Sequence, residues 1–188
     1  MTVGHGAGLG YELRVDFVPR AALALPGRLG LTRAPGRWEE GRDADSDVRL
    51  REDLDALATV HGARMLVTLL ERAEIAELGA LDLLARRAGL RWIHFPIPDM
   101  WVPSDVTATR RLVARLLRAL ERGEDVVVHC WGGLGRAGTI AACCLVAHGC
   151  EPRRAIAIVR SARPGAVQSI QQELFVREFV SAPGAALR

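Results

Sequence analysis

The chain has 188 residues, 49% hydrophobic and 25% charged, with a formal charge of +3; a chain of that size and balance buries one core of ordinary proportions. All 25 basic residues are arginine, which excludes Schiff-base and Walker-type lysine chemistry, and the lack of asparagine excludes an N-glycosylation sequon and a Cys-His-Asn protease. The small net charge marks no nucleic-acid footprint, and with no apolar run of about 18 residues and no leader pattern a cytoplasmic protein without membrane contact is expected.

In chain order, residues 1–10 are glycine-rich and expected to form a tail, and residues 11–19 alternate like a strand. The Gly/Pro/Arg-rich stretch 26–41 reads as loops. Residues 54–60 form a short helix, 64–70 an apolar strand, 74–78 and 81–89 helices, the second stopped by Gly89, and 91–97 a strand. A long amphipathic helix covers 105–122, with Ser104 placed to cap it and Val106, Leu112, Val113, Leu116, Leu117 and Leu120 on one side. Residues 125–129 form a buried strand, 136–148 a helix, and further helices follow near 153–160 and 170–180. Strands separated by helices predict an α/β fold with a central, mostly parallel sheet. One domain over 11–182 is expected, with a tail at 183–188 and no internal repeat. The cysteines at 130, 143, 144 and 150 have no disulfide-framework spacing, and Cys143 and Cys144 read as small core residues.

HCWGGLGRAGT, residues 129–139, joins the last strand to a helix. Open α/β sheets carry their functional loops at this address, where a thiol at Cys130 would sit over a helix N-terminus among backbone N–H groups that favour thiolate. Gly132, Gly133, Gly135 and Gly138 read as residues that allow positive φ and close approach to an anion, and Arg136 as a bidentate grip on phosphate oxygens. A tight structural turn is the competing reading.

The pattern His129-Cys130-x5-Arg136 resembles the HC-x5-R loop of the cysteine-dependent protein tyrosine and dual-specificity phosphatases. HCWGGLGR with PIPD upstream is most similar to the cyclin-dependent kinase inhibitor 3-like branch, over roughly residues 48–180. The resemblance implies that Cys130 attacks phosphorus and that Arg136, with the N–H groups of Trp131, Gly132, Gly133, Leu134, Gly135 and Arg136, binds the phosphate. His129, on the other face of the strand, is expected to order the loop and support the thiolate. Asp99, in PIPDMWVP, is the expected general acid and base; Asp105 is the rival carboxylate, explained by the helix start beside it. Gln168 and Gln172 are candidates for positioning the hydrolytic water, four residues apart and so on one helix face. No metal and no cofactor is implied, and the expected partner is a phosphoprotein or phosphopeptide substrate of a monomeric enzyme.

One position departs from the resembled pattern: Ala137 stands where a Ser or Thr hydroxyl normally meets the departing thiolate, and Thr139 is the nearest substitute. Met100, Trp101 and Trp131 form an apolar rim suited to an aromatic ester, and Arg163 is placed to add positive potential. A phosphopeptide-binding module with weak turnover and a rhodanese-like sulfurtransferase or arsenate reductase are the alternatives.

Overall fold

The computed structural model describes residues 13–37 and 45–179; the expected tails at 1–10 and 183–188 fall outside the described residues. In chain order the elements are β1 (Asp16–Phe17), α1 (Arg20–Leu23), β2 (Leu29–Thr32), α2 (Ser46–Thr59), β3 (Ala63–Thr68), α3 (Arg72–Leu78), α4 (Leu81–Arg87), β4 (Arg91–His94), α5 (Val106–Glu121), β5 (Asp125–His129), α6 (Gly135–Ala147), α7 (Pro152–Ala162) and α8 (Ile170–Glu178). The sheet runs β1-β2-β5-β3-β4, with only β1 antiparallel, so the fold is the expected α/β architecture with a mostly parallel sheet.

β5 occupies the centre because DVVVH has no polar interruption between Asp125 and His129: Val126, Val127, Val128 and His129 are all buried, as befits a parallel strand covered on both faces. β2 and β3 pair with it on either side. One group of helices, α5 to α8, packs around α6; the other, α2 to α4, covers β3 and β4. α6 is buried from Gly135 to Leu145, and its small residues let neighbours approach on every side. Cys143 and Cys144 lie in this buried stretch, where burial pushes the Cys144 thiol up to about 12 and Cys143 well up too, so both are inert thiols at neutral pH.

Several expectations need correction. The stretch read as loops contains β2, whose four residues are too few to show a period but are all buried beside β5. The strand expected over 11–19 reduces, within the described residues, to Asp16–Phe17, followed by α1. α2 starts at Ser46, well before the apolar pattern begins, because its first turns are polar. Asp105, rather than Ser104, caps α5: its carboxylate accepts from the Ala108 N–H at 2.9 Å, and Val106, expected on the buried side, is exposed at the helix start.

Candidate active site

Cys130 follows the last residue of β5 and Arg136 sits in the first turn of α6; the two residues are 3% and 1% exposed. Gly133 makes the turn between them at φ 72°, so close to β2 that a Cβ would lie 2.1 Å from the Thr32 carbonyl oxygen. The other glycines serve differently from the expectation, since none of the three takes positive φ. Gly135 makes room for the amides of Gln168 and Gln172, and Gly138 for the backbone and side chain at Ala166 and Val167. Gly132 faces open space apart from the Arg37 guanidinium.

The loop separates its backbone donors from its acceptors. Trp131 O accepts from Ala34 N–H at 3.0 Å, Gly132 O from Arg163 at 2.9 Å, and Leu134 O from the N–H groups of Gly138 and Val167. Among the described residues, no backbone N–H from 131 to 136 donates to a protein acceptor. With the carbonyls tied outward, a run of free N–H groups at a helix N-terminus forms a concavity that favours an anion. Arg163 is therefore a brace rather than an exposed source of potential: its guanidinium also pairs with Asp16 of β1 at 2.6 Å, and both side chains are largely buried.

Arg136 is held by a residue that sequence reasoning missed. Glu74 takes both terminal nitrogens bidentately at 2.7 and 2.8 Å, while Ile97 O accepts a further bond at 3.1 Å. Burial opposes the Glu74 charge, but the Arg136 guanidinium and the Glu71 N–H outweigh it and hold the carboxyl below its usual value. Burial likewise opposes the Arg136 charge, and the Glu74 carboxylate, foremost among its neighbours, more than offsets it. Asp99 Oδ1 lies 2.9 Å from Nη2. The Nε–H of Arg136 is buried without a partner, a costly orphan unless a ligand oxygen meets it. The sequence did carry a signal for Glu74: it is N3 of a helix that follows the carboxyl end of β3, in a capping box with Glu71.

His129 contacts the carbonyl of Cys130, not its sulfur. Nδ1 lies 3.2 Å from Cys130 O, which can only accept, so Nδ1 carries the proton. Burial pushes the imidazole down to about 4, leaving it neutral and Nε2 bare. Nε2 therefore accepts from the Thr68 hydroxyl at 2.7 Å, which in turn accepts from Trp92 Nε1–H at 2.8 Å. The relay fixes the backbone at Cys130 and supplies no positive charge to it.

Asp99 sits in a tight turn closed by Trp101 N–H to Pro98 O at 3.1 Å, with Met100 at φ 57°. Its carboxyl is 69% exposed, and Met100 and Trp101 are exposed beside it. Two side chains of the α8 start reach this turn: Ser169 Oγ donates to Met100 O at 3.3 Å and Gln172 Nε2 to Trp101 O at 3.2 Å. Gln172 is buried, and its Oε1 accepts from the N–H groups of Gln168 and Ser169. The two glutamines do not share a helix face as expected, because α8 begins after Ser169, its N-cap, and Gln168 lies in the preceding turn. Gln168 is exposed next to Gly135. Thr139 gives no substitute for the hydroxyl absent at Ala137: its Oγ1 donates to Gly135 O at 2.8 Å. Trp131 lies under the Arg37 guanidinium, 5.6 Å from ring centre to Cζ, so the mouth is basic on one side and apolar on the other. Elsewhere, His61 and His94 bond to Leu13 O and Leu70 O and serve structure.

No helix among the described residues is long and apolar enough to cross a membrane. A sequence model described as "PTP-SAK: Swiss Army Knife protein, DSP-PTPase phosphatase domain" matches residues 43–176. Cyclin-dependent kinase inhibitor 3 of Rattus norvegicus is 27% identical over 173 residues, 89% of this chain and 78% of its own length. Protein tyrosine phosphatase domain-containing protein 1 of Mus musculus is 42% identical over 93 residues, 49% of this chain but 12% of that one. Among solved structures, kinase associated phosphatase with its catalytic-site cysteine substituted by serine superposes with a TM-score of 0.79 at 25% identity, covering 89% of this chain and 94% of that one. Tk-PTP in its active form gives 0.69 at 28% identity, with 88% and 95% covered. The chain therefore belongs to the DSP-PTPase phosphatase domain family and is a cysteine-based protein tyrosine/dual-specificity phosphatase.

Proposed function

We propose that the protein hydrolyses phosphotyrosine, and also phosphoserine or phosphothreonine, in phosphoprotein substrates through a cysteinyl-phosphate, without metal or cofactor. The observation that carries this reading is the division of the loop backbone: carbonyls bonded outward and the N–H groups of residues 131–136 without protein acceptors, around a buried cysteine. Those six N–H groups and the orphaned Arg136 Nε–H suit the oxygens of a phosphoryl group in its transition state.

In the first step the Cys130 thiolate forms the S–P bond as the P–O ester bond breaks, and the leaving oxygen takes its electron pair and the proton of Asp99. In the second, Asp99 takes a proton from water, the water oxygen bonds to phosphorus, and the S–P pair returns to Cys130. Asp99 contacts Arg136 directly, so a phosphate dianion on the same guanidinium brings two like charges together. His129 holds the Cys130 backbone, and the exposure of Gln168 beside Gly135 supports assigning it the orientation of water.

Para-nitrophenyl phosphate and matched phosphotyrosine, phosphoserine and phosphothreonine peptides, all with EDTA present, test the reading. Turnover that disappears in Cys130→Ser supports it. Ala137, buried and without a hydroxyl, with Thr139 committed elsewhere, favours as second reading a phosphopeptide-binding module. Tight peptide binding with no turnover would establish that module and overturn the enzyme.

A further inference from the structure

From the contacts of its amide we infer that Gln172 is a positioning residue for the acid loop, acting on Asp99 in the first chemical step, and does not orient water in the second. The inference rests on the proposed role of Asp99 and goes beyond it by assigning the residue that fixes where that acid stands.

A water-orienting amide must present its polar atoms to the reaction. Gln172 has both ends bonded. Its side chain is fully buried, Oε1 accepts from the N–H groups of Gln168 and Ser169, and Nε2 gives one of its two N–H groups to Trp101 O. Gln168, by contrast, is exposed and has no side-chain hydrogen bond among the described residues.

What the amide grips is the turn that carries Asp99. The turn from Pro98 to Trp101 is closed by one backbone bond and holds Met100 in the left-handed region, where a side chain is disfavoured. Such a turn needs outside support to persist. The carbonyls of Met100 and Trp101, the two residues after the acid, are held by Ser169 and Gln172. The same amide lies against Gly135, where an added Cβ would come within 2.9 Å of Nε2 and 3.0 Å of Oε1. Gln172 therefore spans from the first residue of α6, next to Arg136, to the acid turn. It sets the distance between the phosphate grip and the proton donor, which now puts Asp99 Oδ1 2.9 Å from Arg136.

Gln172→Glu separates this role from the others. Glutamate keeps the length and an acceptor for the Gln168 and Ser169 N–H groups, but as a carboxylate it cannot donate to Trp101 O. The probe is kcat/KM across a series of aryl phosphates of rising leaving-group pKa, which reports the first step alone. The expected result is a loss of roughly tenfold with phenyl phosphate and within about twofold with para-nitrophenyl phosphate, because only the poor leaving group needs the proton. Asp99→Asn should steepen the series further, and adding Gln172→Glu to it should cost nothing more. Gln172→Met, which makes neither bond, is a second variant, with far-UV circular dichroism and vanadate binding to confirm the fold. A flat series in Gln172→Glu, together with a larger pre-steady-state burst, would assign the residue to water and overturn the inference; so would additive losses in the double variant. If Asp99→Asn leaves the series unchanged, the acid assignment fails, and absent turnover in the unaltered protein defeats the proposed function; either takes this inference with it. A steep Asp99→Asn series beside a flat Gln172→Glu series defeats this inference alone.

Discussion

The two loops that meet at Arg136 are built in opposite ways. The Cys130 loop is buried or half-buried, its carbonyls tied to Ala34 just past β2, to Arg163 at the end of α7 and to Val167 in the α7–α8 connection, its sharpest turn pressed against the Thr32 carbonyl. The acid loop exposes Asp99 and Trp101, the latter by 53%, and is held to α8 by two side-chain bonds at 3.2 and 3.3 Å. Dipoles that must stabilise a transition state are useful only if they need no reorganisation, so their ordering cost falls on folding. The proposed proton donor must let substrate in and product out, and a loop with that task can be held loosely. One loop is priced in stability, the other in position.

Substitutions that treat the loops alike should break this contrast if it is wrong. The largest effect is expected from Gly133→Ala, which adds a Cβ at positive φ into the backbone of β2. It should cost more than about 3 kcal/mol in urea unfolding and abolish turnover; a change below 1 kcal/mol would mean the loop is not rigid. Acid should come next. His129 is held neutral with its pKa near 4 against 6.5 when unperturbed, so between those values the unfolded chain binds the extra proton. Stability from this group is fully present above pH 6.5 and falls by on the order of 3 kcal/mol as the pH drops to 4. Thermal melts across that window should show the slope, and His129→Gln should flatten it.

Glu74→Gln removes the charge that fixes the Arg136 fork while leaving the fold intact. With Glu74 partly exposed, the loss should be about 2 kcal/mol in transition-state stabilisation, near thirtyfold in kcat/KM, with weaker vanadate binding. Ala137→Ser should act only on the second step, raising steady-state turnover by about tenfold and reducing the burst. An unchanged burst would show that another donor already meets the thiolate. The smallest effect belongs to the acid loop: Met100→Gly relieves positive φ but loosens the unfolded chain, so stability should move by less than about 1 kcal/mol while phenyl phosphate turnover falls.

How legible each loop was follows from the distance along the chain of the residues that hold it. Cys130, Arg136 and the glycines lie in one run between a strand and a helix, and local pattern suffices to read them. Asp99 was readable from its place beyond a strand among prolines. Its supports were not: Ser169 and Gln172 come some seventy residues later, and Glu74 is 62 residues before Arg136. The same limit produced the errors. Gln168 and Gln172 are four apart, which suggests a shared helix face, but the left-handed backbone at Val167 and the Ser169 cap delay the helix. β2 was missed because its burial comes from β5, nearly a hundred residues on, and not from any period of its own.

The strand order has a consequence for how the chain can be divided. The family match opens at residue 43, after β2, yet β2 is the neighbour of β5 on the side away from β3. A fragment cut to the matched span would keep every signature residue and lose the wall behind Gly133, the Ala34 bond to Trp131 and the Asp16 partner of Arg163. It would also turn the central strand into an edge, with a row of unpaired backbone groups ending beside Cys130, and such an edge invites pairing with another chain. The span by which the family is recognised is thus shorter than the span that walls the Cys130 loop, and the difference includes β2, the strand beside β5.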